Sequence, residues 1–484
     1  MNKALLEKYE PTIGIECHVQ LRTKTKLFSG ADNDARDKPA NTTVSPVCFG
    51  LPGTLPVLNR EAVNLVIRAG IALNAEVATL SSFDRKHYFY PDLPKGYQIT
   101  QLERPTVGRG TVEVPARGGN FTVRILRAHI EEDAGKLTHP DGADYSLVDL
   151  NRAGTPLIEI VSEPDMHSAE QAKAYVQELY LLMKYAGVTY GDLYHGNMRF
   201  DVNISVAPKG SSTLGTRAEV KNLNSFRSVE RAAQYEFERQ AELLDRGERI
   251  VQETRGWHDA KQKTFSQRSK EEAMDYRYFP DADLPPIELT DKQIETIRQE
   301  VAPLLPSTRR AALAGRGIRA ELVETLLLND ALTGLGYVQR ALDVDPRDAP
   351  FTVNFLVNRL AKTAGVNSLP AAQQFGDVAA LFRDGQLSSN NADALLLELR
   401  SDPAADARTL AEQKGWLQEN DTAALESQVA EVLADPANAK AIADVANGNE
   451  RVIGYLVGQV MKKSQGRANP ALVSQLIRQK LLSS

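Results

Sequence analysis

The chain contains 484 residues, of which 42% are hydrophobic and 25% are charged. These are values of a globular protein, and this length predicts two or three domains. The 57 basic and 63 acidic residues give a formal net charge of -6, which argues against nucleic-acid binding over the whole surface but is compatible with a local basic face. We expect neither a membrane span nor a signal peptide, because no apolar run of the required kind is present.

The two cysteines, Cys17 and Cys48, bear on the cellular compartment. Two thiols cannot build a disulfide framework or a four-cysteine zinc site, and they fit a reducing environment. We therefore expect a cytoplasmic protein in which both residues are small, buried hydrophobic side chains.

Residue usage changes near position 290. All 7 histidines lie at or before His258, and 13 of the 15 tyrosines lie at or before Tyr278. Beyond the proline-rich segment 281–286 the sequence becomes rich in Ala, Leu, Asp, Gln and Arg. We expect polar chemistry upstream of this point and helical packing downstream, with a small helical module in about the last 75 residues.

Three upstream segments alternate between apolar and polar residues, a period that predicts β-strands: 12–21, 198–206 and 216–223. A further extended segment is expected over 121–130. In each of the three alternating strands one face is apolar and the other carries charged or amide side chains. The polar faces include these residues: Glu16, His18, Arg199, Asp201, Asn203, Arg217, Glu219 and Lys221.

Helices interrupt these strands. Ser168 followed by Gln171 is a capping-box signature, and Gly187 is a suitable residue to end the helix that follows. A second helix is predicted over 226–246, ending at Gly247.

Near the C-terminus, residues spaced as one helical face predict a helix: Ile453, Leu456, Val457, Val460 and Met461. Asn469 is the expected N-cap of a final helix with Pro470 in its first position. The segment from Glu450 onwards contains six basic residues and one acidic residue. They form either an ordinary solvated helix face or a contact to a phosphate backbone.

The signatures of a P-loop, a zinc protease, a serine hydrolase and a dinucleotide site are absent, so any chemistry must come from dispersed carboxylates. Glu16 and His18 lie two residues apart on one strand face and are able to share a cation, with Mg²⁺ or Mn²⁺ favoured and zinc possible. Taken alone, this pair favours an ordinary polar surface strand over a cation site.

Segment 129–136 places three consecutive acids before a Gly-Lys pair. On a strand Glu131 and Glu132 face opposite ways, so at most one shares the face of His129. Acids at this density require a counter-charge. The candidates are Lys136, Arg127 or a metal ion, and a salt-bridged turn is the structural alternative.

Glu159 lies inside the apolar segment 156–161. Burying a carboxylate there is unfavourable unless the group is paired or bound to metal. Metal binding and a buried ion pair with Arg152 or Arg217 both remain open.

Segment 85–98 interleaves cations with aromatic residues that are suited to stacking a base and pairing with phosphates: Lys86, His87, Tyr88, Tyr90, Lys95 and Tyr97. An aromatic edge strand is the structural alternative. Taken together, the acids and cations on several strand faces favour a metal-dependent enzyme that acts on an anionic substrate.

Long motifs in the chain closely resemble the GatB family, the B subunits of the bacterial Glu-tRNA(Gln)/Asp-tRNA(Asn) amidotransferases. The match runs in order through the first 286 residues, and 454–477 resembles the C-terminal module of that family. The motifs that carry the resemblance are IGIECHVQL, FDRKHYFYPDLPKGYQITQ, HIEEDAGKLTH, YSLVDLNRAGTPLIEIVSEPDM, RFDVNISV, AEVKNLNSF and DYRYFPDADLPP.

The resemblance implies an activity. Members of this family bind tRNA that carries Glu or Asp in place of Gln or Asn, and use ATP and Mg²⁺ to phosphorylate the side-chain carboxylate. Ammonia from a separate amidase (glutaminase) subunit then displaces the phosphate, and a third, small subunit completes the heterotrimer. The chain is thus expected to be part of a glutamine-hydrolysing ligase of the cytoplasm.

The resemblance also implies an α+β fold: an antiparallel-sheet cradle domain (1–290), a helical domain (291–408) and a helical tail domain that contacts tRNA (409–484). It assigns a metal shell to Glu16, His18, Glu131 and Glu159, with Glu132 as a second choice. Catalytic roles go to Glu131, Glu159 and Lys86. Contacts to ATP, phosphates or the acceptor end go to Lys86, Tyr88, Asp201, Asn203, Glu219 and Lys221.

The chain departs from the family pattern before the strand 198–206. The family carries two acids and Gly-Ser where this chain has Tyr194, His195, Gly196 and Asn197, and it has Cys in place of Phe200. Any metal contact made through that acidic pair is in doubt here.

Two rival functions follow from the same residues. A non-catalytic tRNA-binding scaffold would leave the burial of Glu159 without a purpose. A stand-alone metallohydrolase would act without ATP, tRNA or partner chains.

Overall fold

The computed structural model describes residues 3–116, 118–269, 275–333, 336–344, 346, 349–363, 370–418, 422–446, 449–464 and 467–482. The chain divides into two compact units, Met1–Arg309 and Arg310–Ser484. None of the helices in these described ranges is both long and apolar enough to cross a bilayer.

All strands that the structure describes lie in the first unit. Its strands are β1 (Tyr9–Gln20), β2 (Leu80–Ser81), β3 (Asp84–His87), β4 (Tyr97–Thr100), β5 (Gly110–Val114), β6 (Phe121–Glu132), β7 (Lys136–Thr138), β8 (Leu147–Asp149), β9 (Pro156–Ser162), β10 (Met198–Pro208), β11 (Ala218–Leu223), β12 (Glu253–His258), β13 (Lys263–Ser269), β14 (Phe279–Pro280) and β15 (Ile287–Glu288). Its helices are α1 (Lys3–Lys8), α2 (Arg60–Ala72), α3 (Ala169–Tyr185), α4 (Phe226–Asp245) and α5 (Asp291–Val301), followed by the 3₁₀ helix Ala302–Leu304.

A mixed sheet of eight strands organises this unit, in the order β13-β12-β11-β10-β1-β9-β6-β5. The described pairings are antiparallel except that of β11 with β12, which is parallel. The exception has a topological cause, because α4 connects these two strands and a parallel pair requires such a crossover. The small sheets β14-β3-β4, β15-β2 and β7-β8 complete the unit.

One face of the large sheet is apolar and packed against helices. The apolar side chains of β1 are completely buried: Ile13, Ile15, Cys17 and Val19. Helix α4 packs on β10, and α3 packs on α4. The other face therefore carries the polar side chains of the same strands, as the alternation predicts. Strand β11 begins at Ala218, two residues later than the predicted segment, so Arg217 precedes it.

The two predicted helices of this region are confirmed. Ser168 caps α3 by accepting a hydrogen bond from Gln171 N, whereas the Gln171 side chain accepts from His167 N, one residue before the predicted partner. The backbone after each helix turns through a glycine with positive φ, at Gly187 (+72°) and Gly247 (+74°). Glycine adopts this left-handed conformation readily because it has no Cβ atom. Both glycines are therefore suited to end their helices.

The second unit is helical. The boundary between the units falls within α6 (Pro306–Ala314). The helices that follow are α7 (Ala320–Thr333), α8 (Tyr337–Val344), α9 (Ala349–Thr363), α10 (Ala372–Arg383), α11 (Ser389–Leu399), α12 (Ala407–Gln413), α13 (Thr422–Ala434), α14 (Ala439–Ala446), α15 (Ile453–Lys463) and α16 (Pro470–Leu482), with 3₁₀ turns at Pro436–Asn438 and Glu450–Val452.

The C-terminal helices form a core of their own. Ile453, Leu456 and Val460 of α15 are buried in it, and the predicted helical face is confirmed. Asn469 Oδ1 accepts a hydrogen bond from Ala471 N at 3.0 Å, as expected of a cap of α16. The α+β class is confirmed, whereas the domain boundaries at 290 and 408 stay a prediction.

Candidate metal centres on the polar face of the sheet

Strand pairing brings the predicted site residues together. His18 on β1 lies opposite Glu159 on β9, which in turn lies opposite His129 on β6. On the other side of β1, Glu16 lies opposite Asp201 of β10. Directly paired residues project from the same face of a sheet. Side chains far apart in the sequence thus converge on the face opposite to α4.

The first centre consists of His18, Glu131 and Glu159, whose ligand atoms lie within 4.8 Å of one another. His18 Nε2 is 3.4 Å from Glu131 Oε1 and 3.4 Å from Glu159 Oε2. Glu131 is buried, and the other two residues are partly exposed. The centre therefore has a buried base and an open side that a solute is able to reach.

The three groups of the first centre compete for protons. Burial alone would lower the pKa of His18, but the contact with Glu159 and the charge of Glu131 raise it to about 9. Burial and the neighbouring Glu159 raise the pKa of Glu131 to about 7. Burial would also raise the pKa of Glu159, but His129 and His18 outweigh burial and hold this pKa below its usual value. A divalent cation in place of these protons would relieve the repulsion between the two carboxylates.

His129 lies next to two carboxylates of the first centre. It is 4% exposed, and its Nε2 lies 3.6 Å from Glu159 Oε2 and 3.9 Å from Glu131 Oε2. Burial lowers the pKa of His129 to about 4, so the ring is neutral at pH 7. From the sequence, at most one of Glu131 and Glu132 was expected to share the face of His129, and His129 was given no role. Its spacing of two residues from Glu131 on one strand was the available signal.

The second centre consists of Glu16, Asp201 and Glu219, whose ligand atoms also lie within 4.8 Å of one another. Lys221 Nζ bridges Asp201 Oδ2 at 3.0 Å and Glu219 Oε1 at 2.8 Å. Asn203 Nδ2 donates to Glu16 Oε1 at 2.9 Å. Burial and the charges of Glu159 and Glu219 raise the pKa of Glu16. One lysine thus faces three carboxylates, which leaves an excess of negative charge.

Both centres have donors that suit a hard divalent cation. Carboxylate oxygens are the ligands that Mg²⁺ and Mn²⁺ prefer, and an imidazole is compatible with Mn²⁺ and zinc as well. Asn203 Oδ1 adds an oxygen that is buried beside Glu16 and has no hydrogen-bond partner among the described residues. Sequence reasoning linked Asp201 and Glu219 to ATP, and the structure groups their carboxylates with that of Glu16.

Lys86 and Tyr88 lie beside the first centre. Lys86 Nζ is 4.8 Å from the ring centroid of Tyr276 and 5.9 Å from that of Tyr88. Burial lowers the pKa of Lys86, but Tyr278, Glu131 and Glu159 outweigh this effect and raise it. Burial and the charge of Glu131 raise the pKa of Tyr88. The cation and the phenol are therefore both within electrostatic range of the first centre.

Glu132 is not brought to either centre. It faces away from Glu131, and its carboxylate accepts from Lys95 Nζ and from Ile99 N at 3.0 Å. This alternation is the one expected of consecutive strand residues. The second-choice ligand of the sequence analysis thus lies in an ion pair on the opposite face.

The acidic segment pairs with protein cations other than the expected Lys136 and Arg127. Arg199 Nη2 lies 2.8 Å from Asp133 Oδ2, and Arg152 Nε lies 3.3 Å from the same oxygen. Glu159 contacts His18 and His129 instead, so its suggested pairing with Arg152 or Arg217 is wrong. Sequence spacing could not identify these partners because they lie on separate strands and loops.

The segment that departs from the family pattern has contacts of its own. His195 Nδ1 lies 2.7 Å from Asp192 Oδ2, and Asn197 Nδ2 donates to Gln20 Oε1 at 2.9 Å. Phe200 is completely buried beside the ring of Phe226, which is in α4. It therefore belongs to the apolar face and does not contact either centre.

Known families match nearly the whole chain. A family model described as the GatB/GatE catalytic domain matches residues 11–295, and one described as the GatB domain matches residues 342–481. The B subunit of the aspartyl/glutamyl-tRNA(Asn/Gln) amidotransferase of Synechococcus sp. (strain JA-2-3B'a(2-13)) is 44% identical over 488 residues, which cover 98% of both chains. Proteins of the same name are 42% identical in Trichodesmium erythraeum (strain IMS101), over 98% of both chains, and in Persephonella marina (strain DSM 14350 / EX-H1), over 98% of this chain and 100% of the relative.

The sheet with its carboxylate-rich centres, the helical unit and these matches define an amidotransferase subunit. The chain belongs to the GatB family, the B subunits of aspartyl/glutamyl-tRNA(Asn/Gln) amidotransferases, whose members are components of glutamine-hydrolysing ligases. The expected family and class of enzyme are thereby confirmed.

Proposed function

We propose that the chain binds misacylated Glu-tRNA(Gln) or Asp-tRNA(Asn) and uses ATP and Mg²⁺ to phosphorylate the side-chain carboxylate of the aminoacyl group. Ammonia then displaces the phosphate and gives the amide. The observation that supports this proposal best is the pair of three-ligand centres on one face of the sheet, joined through β1.

The chemistry explains why such a face is useful. A carboxylate reacts poorly with ammonia because its oxygen is a poor leaving group. Phosphorylation makes that oxygen part of an acyl phosphate, so that it leaves as inorganic phosphate. Bound Mg²⁺ would neutralise charge on the phosphates during the transfer. This chain's own part is to hold both anionic reactants in line and to keep water away.

We assign roles to the residues on this basis. His18, Glu131 and Glu159 would hold one cation, and Glu16 would hold a second with Asp201 and Glu219. His129 would keep Glu159 oriented through its contact with that carboxylate. Lys86 would receive the charge of a phosphate or carboxylate that approaches the first centre, because its cation is already within range of Glu131 and Glu159.

The proposal includes partners and a compartment. The ammonia would come from an amidase (glutaminase) subunit, and a small third subunit would complete a heterotrimer. The name shared by the relatives, which refers to one subunit of an amidotransferase and to tRNA, supports a multi-subunit enzyme of translation. A tRNA substrate and two buried, unpaired cysteines support a place in the cytoplasm.

The test uses the amidotransferase assembled with its partner subunits. Glu159→Gln keeps the shape of the side chain but removes its charge. We expect it to abolish the release of inorganic phosphate from ATP in the presence of Glu-tRNA or Asp-tRNA. Glu163→Gln is the matched control, since Glu163 follows β9 and pairs with Arg109 at 3.4 Å.

Two results would contradict the proposal. Unchanged phosphate release by a folded Glu159→Gln complex would favour a tRNA-binding scaffold. Hydrolysis of a substrate by the isolated wild-type chain without ATP and tRNA would favour a metallohydrolase. The proposal is supported if the wild type and Glu163→Gln release phosphate in a tRNA-dependent manner and Glu159→Gln releases none.

A further inference from the structure

Phe89 is an aromatic side chain that packing does not explain. It is 85% exposed, although most phenylalanine side chains are buried. It follows β3, which carries Lys86, and it comes directly after Tyr88. An exposed aromatic ring is able to stack a planar ligand.

The ring of Phe89 is held in place on one side only. It lies against Gly96, where a Cβ atom would come within 3.0 Å of the ring carbon Cε1. Gly96 has a φ of +75°, and its N–H and C=O groups bond to Leu93 O and Tyr88 N. The turn therefore offers the ring a flat backbone support, while the 85% exposure leaves most of the ring accessible to a planar ligand.

The support is connected to the first centre by short steps. Phe89 is three residues from Lys86, a stretch of at most about 10 Å in extended chain. Tyr88 lies between them in the chain, its ring centroid is 5.9 Å from Lys86 Nζ, and it is within electrostatic range of Glu131. An exposed ring thus lies at the rim of a site whose interior is charged.

Both substrates of the proposed reaction carry adenosine. The aminoacyl group is esterified to the ribose of the 3′-terminal adenosine of tRNA, so that adenine lies one sugar away from the reacting carboxylate. In ATP the adenine is separated from the reacting phosphate by the ribose and two further phosphates. A planar aromatic ring is the side chain that stacks a base without reading its sequence.

We propose that Phe89 stacks an adenine at the rim of the first centre and so positions the substrate that bears it. This inference rests on the proposed function and adds a binding residue to it. The shorter separation between the adenine and the reacting group favours the terminal adenosine of the aminoacyl-tRNA as the source of this adenine. The KM values for aminoacyl-tRNA and for ATP distinguish the two sources.

The experiment compares Phe89→Ala and Phe89→Trp in the assembled enzyme. Loss of one base stack predicts a KM about 5- to 150-fold higher for Phe89→Ala. The KM for aminoacyl-tRNA rises if the terminal adenosine is bound, and the KM for ATP rises if the nucleotide is bound. Phe89→Trp retains an aromatic face and should keep the KM near that of the wild type.

Tyr194→Ala provides the matched control, because Tyr194 is 89% exposed and its ring meets the ring of His195 edge-on. Its kinetic constants should not change. Unchanged KM values of Phe89→Ala, equal losses in Tyr194→Ala, or failure of Phe89→Ala to assemble with the partner subunits would each overturn the inference. Wild-type enzyme without tRNA-dependent phosphate release would instead show that the proposed function itself is wrong.

Discussion

His18 on β1 and Glu159 on β9 are directly paired across the sheet, and His18 Nε2 lies 3.4 Å from Glu159 Oε2. The pair raises the pKa of His18 from 6.5 to about 9 in spite of burial. A histidine whose pKa is higher in the folded state stabilises the fold fully below pH 6.5 and loses that contribution as the pH rises through about 9.

Glu159→Gln should lower the pKa of His18 in the metal-free protein, because the neutral amide no longer favours the imidazolium. The measurement is an NMR titration of labelled histidines in the presence of a chelator, with His18→Asn to assign the signal. The resonance of His195, which pairs with Asp192, is an internal reference and should be the same in the variant and in the wild type at each pH. An unaltered His18 titration would show that Glu159 does not control its protonation.

Glu131→Gln should stabilise the metal-free protein at pH 8, by about 1 kcal/mol. Burial and Glu159 raise the pKa of Glu131 from 4.5 to about 7, so the folded state binds the extra proton and loses stability as the pH rises through this interval. The amide resembles the protonated carboxyl group. Thermal unfolding with a chelator measures the effect, and added Mg²⁺ should stabilise the wild type more than the variant.

Glu132→Gln is the control for that experiment. Its carboxylate pairs with Lys95, so the amide leaves a lysine without its partner and should destabilise the protein with or without Mg²⁺. If Glu131→Gln and Glu132→Gln lowered the unfolding temperature alike, the first centre would not be a site of carboxylate repulsion.

Tyr175→Phe should raise the free energy of unfolding by about 1 kcal/mol. The Tyr175 hydroxyl is completely buried in α3 and has no hydrogen-bond partner among the described residues, so its removal eliminates a desolvation penalty. Tyr337→Phe should have the opposite effect, since Tyr337 Oη donates to Pro370 O at 3.0 Å. Chemical denaturation of both variants measures the difference, and equal effects would contradict this explanation.

Cys48 should react with iodoacetamide faster than Cys17 near neutral pH. Burial raises the pKa of Cys48, but the Ser45 hydroxyl and Lys26 outweigh it and lower the pKa, with Lys26 Nζ 3.4 Å from Cys48 Sγ. Cys17 is completely buried, and burial raises its pKa. Peptide mass spectrometry over a pH series separates the two rates.

Lys26→Met tests the cause of this difference. It removes the cation next to Cys48 and should shift the alkylation of that thiol to higher pH. An unchanged pH profile of alkylation would show that Lys26 does not control the reactivity of Cys48.

The period of two was sufficient to predict which side chains of each strand share a face. Glu16 with His18, and Glu131 opposed to Glu132, lie as the alternation indicates, because a strand has only two faces. The boundaries of α3 followed from local signals, a serine at one end and a glycine at the other, and the end of α4 followed from Gly247.

Strand order was not available from the same signals. The pairing of β1 with both β9 and β10 depends on contacts between segments that are far apart in the chain, and one sequence gives no register for them. For this reason His18 was not recognised as the partner of Glu159, and Lys95 was not recognised as the partner of Glu132. The family resemblance supplied the ligand set that periodicity alone left open.

Strand β1 contributes a side chain to each candidate centre, Glu16 to one and His18 to the other. Their α-carbons are separated by two residues of extended backbone, about 6.7 Å. This length is set by covalent geometry and is the same for every amino acid. Mutation is therefore able to change the affinity of either centre, but the distance between their two anchoring points on β1 is invariant to side-chain substitution.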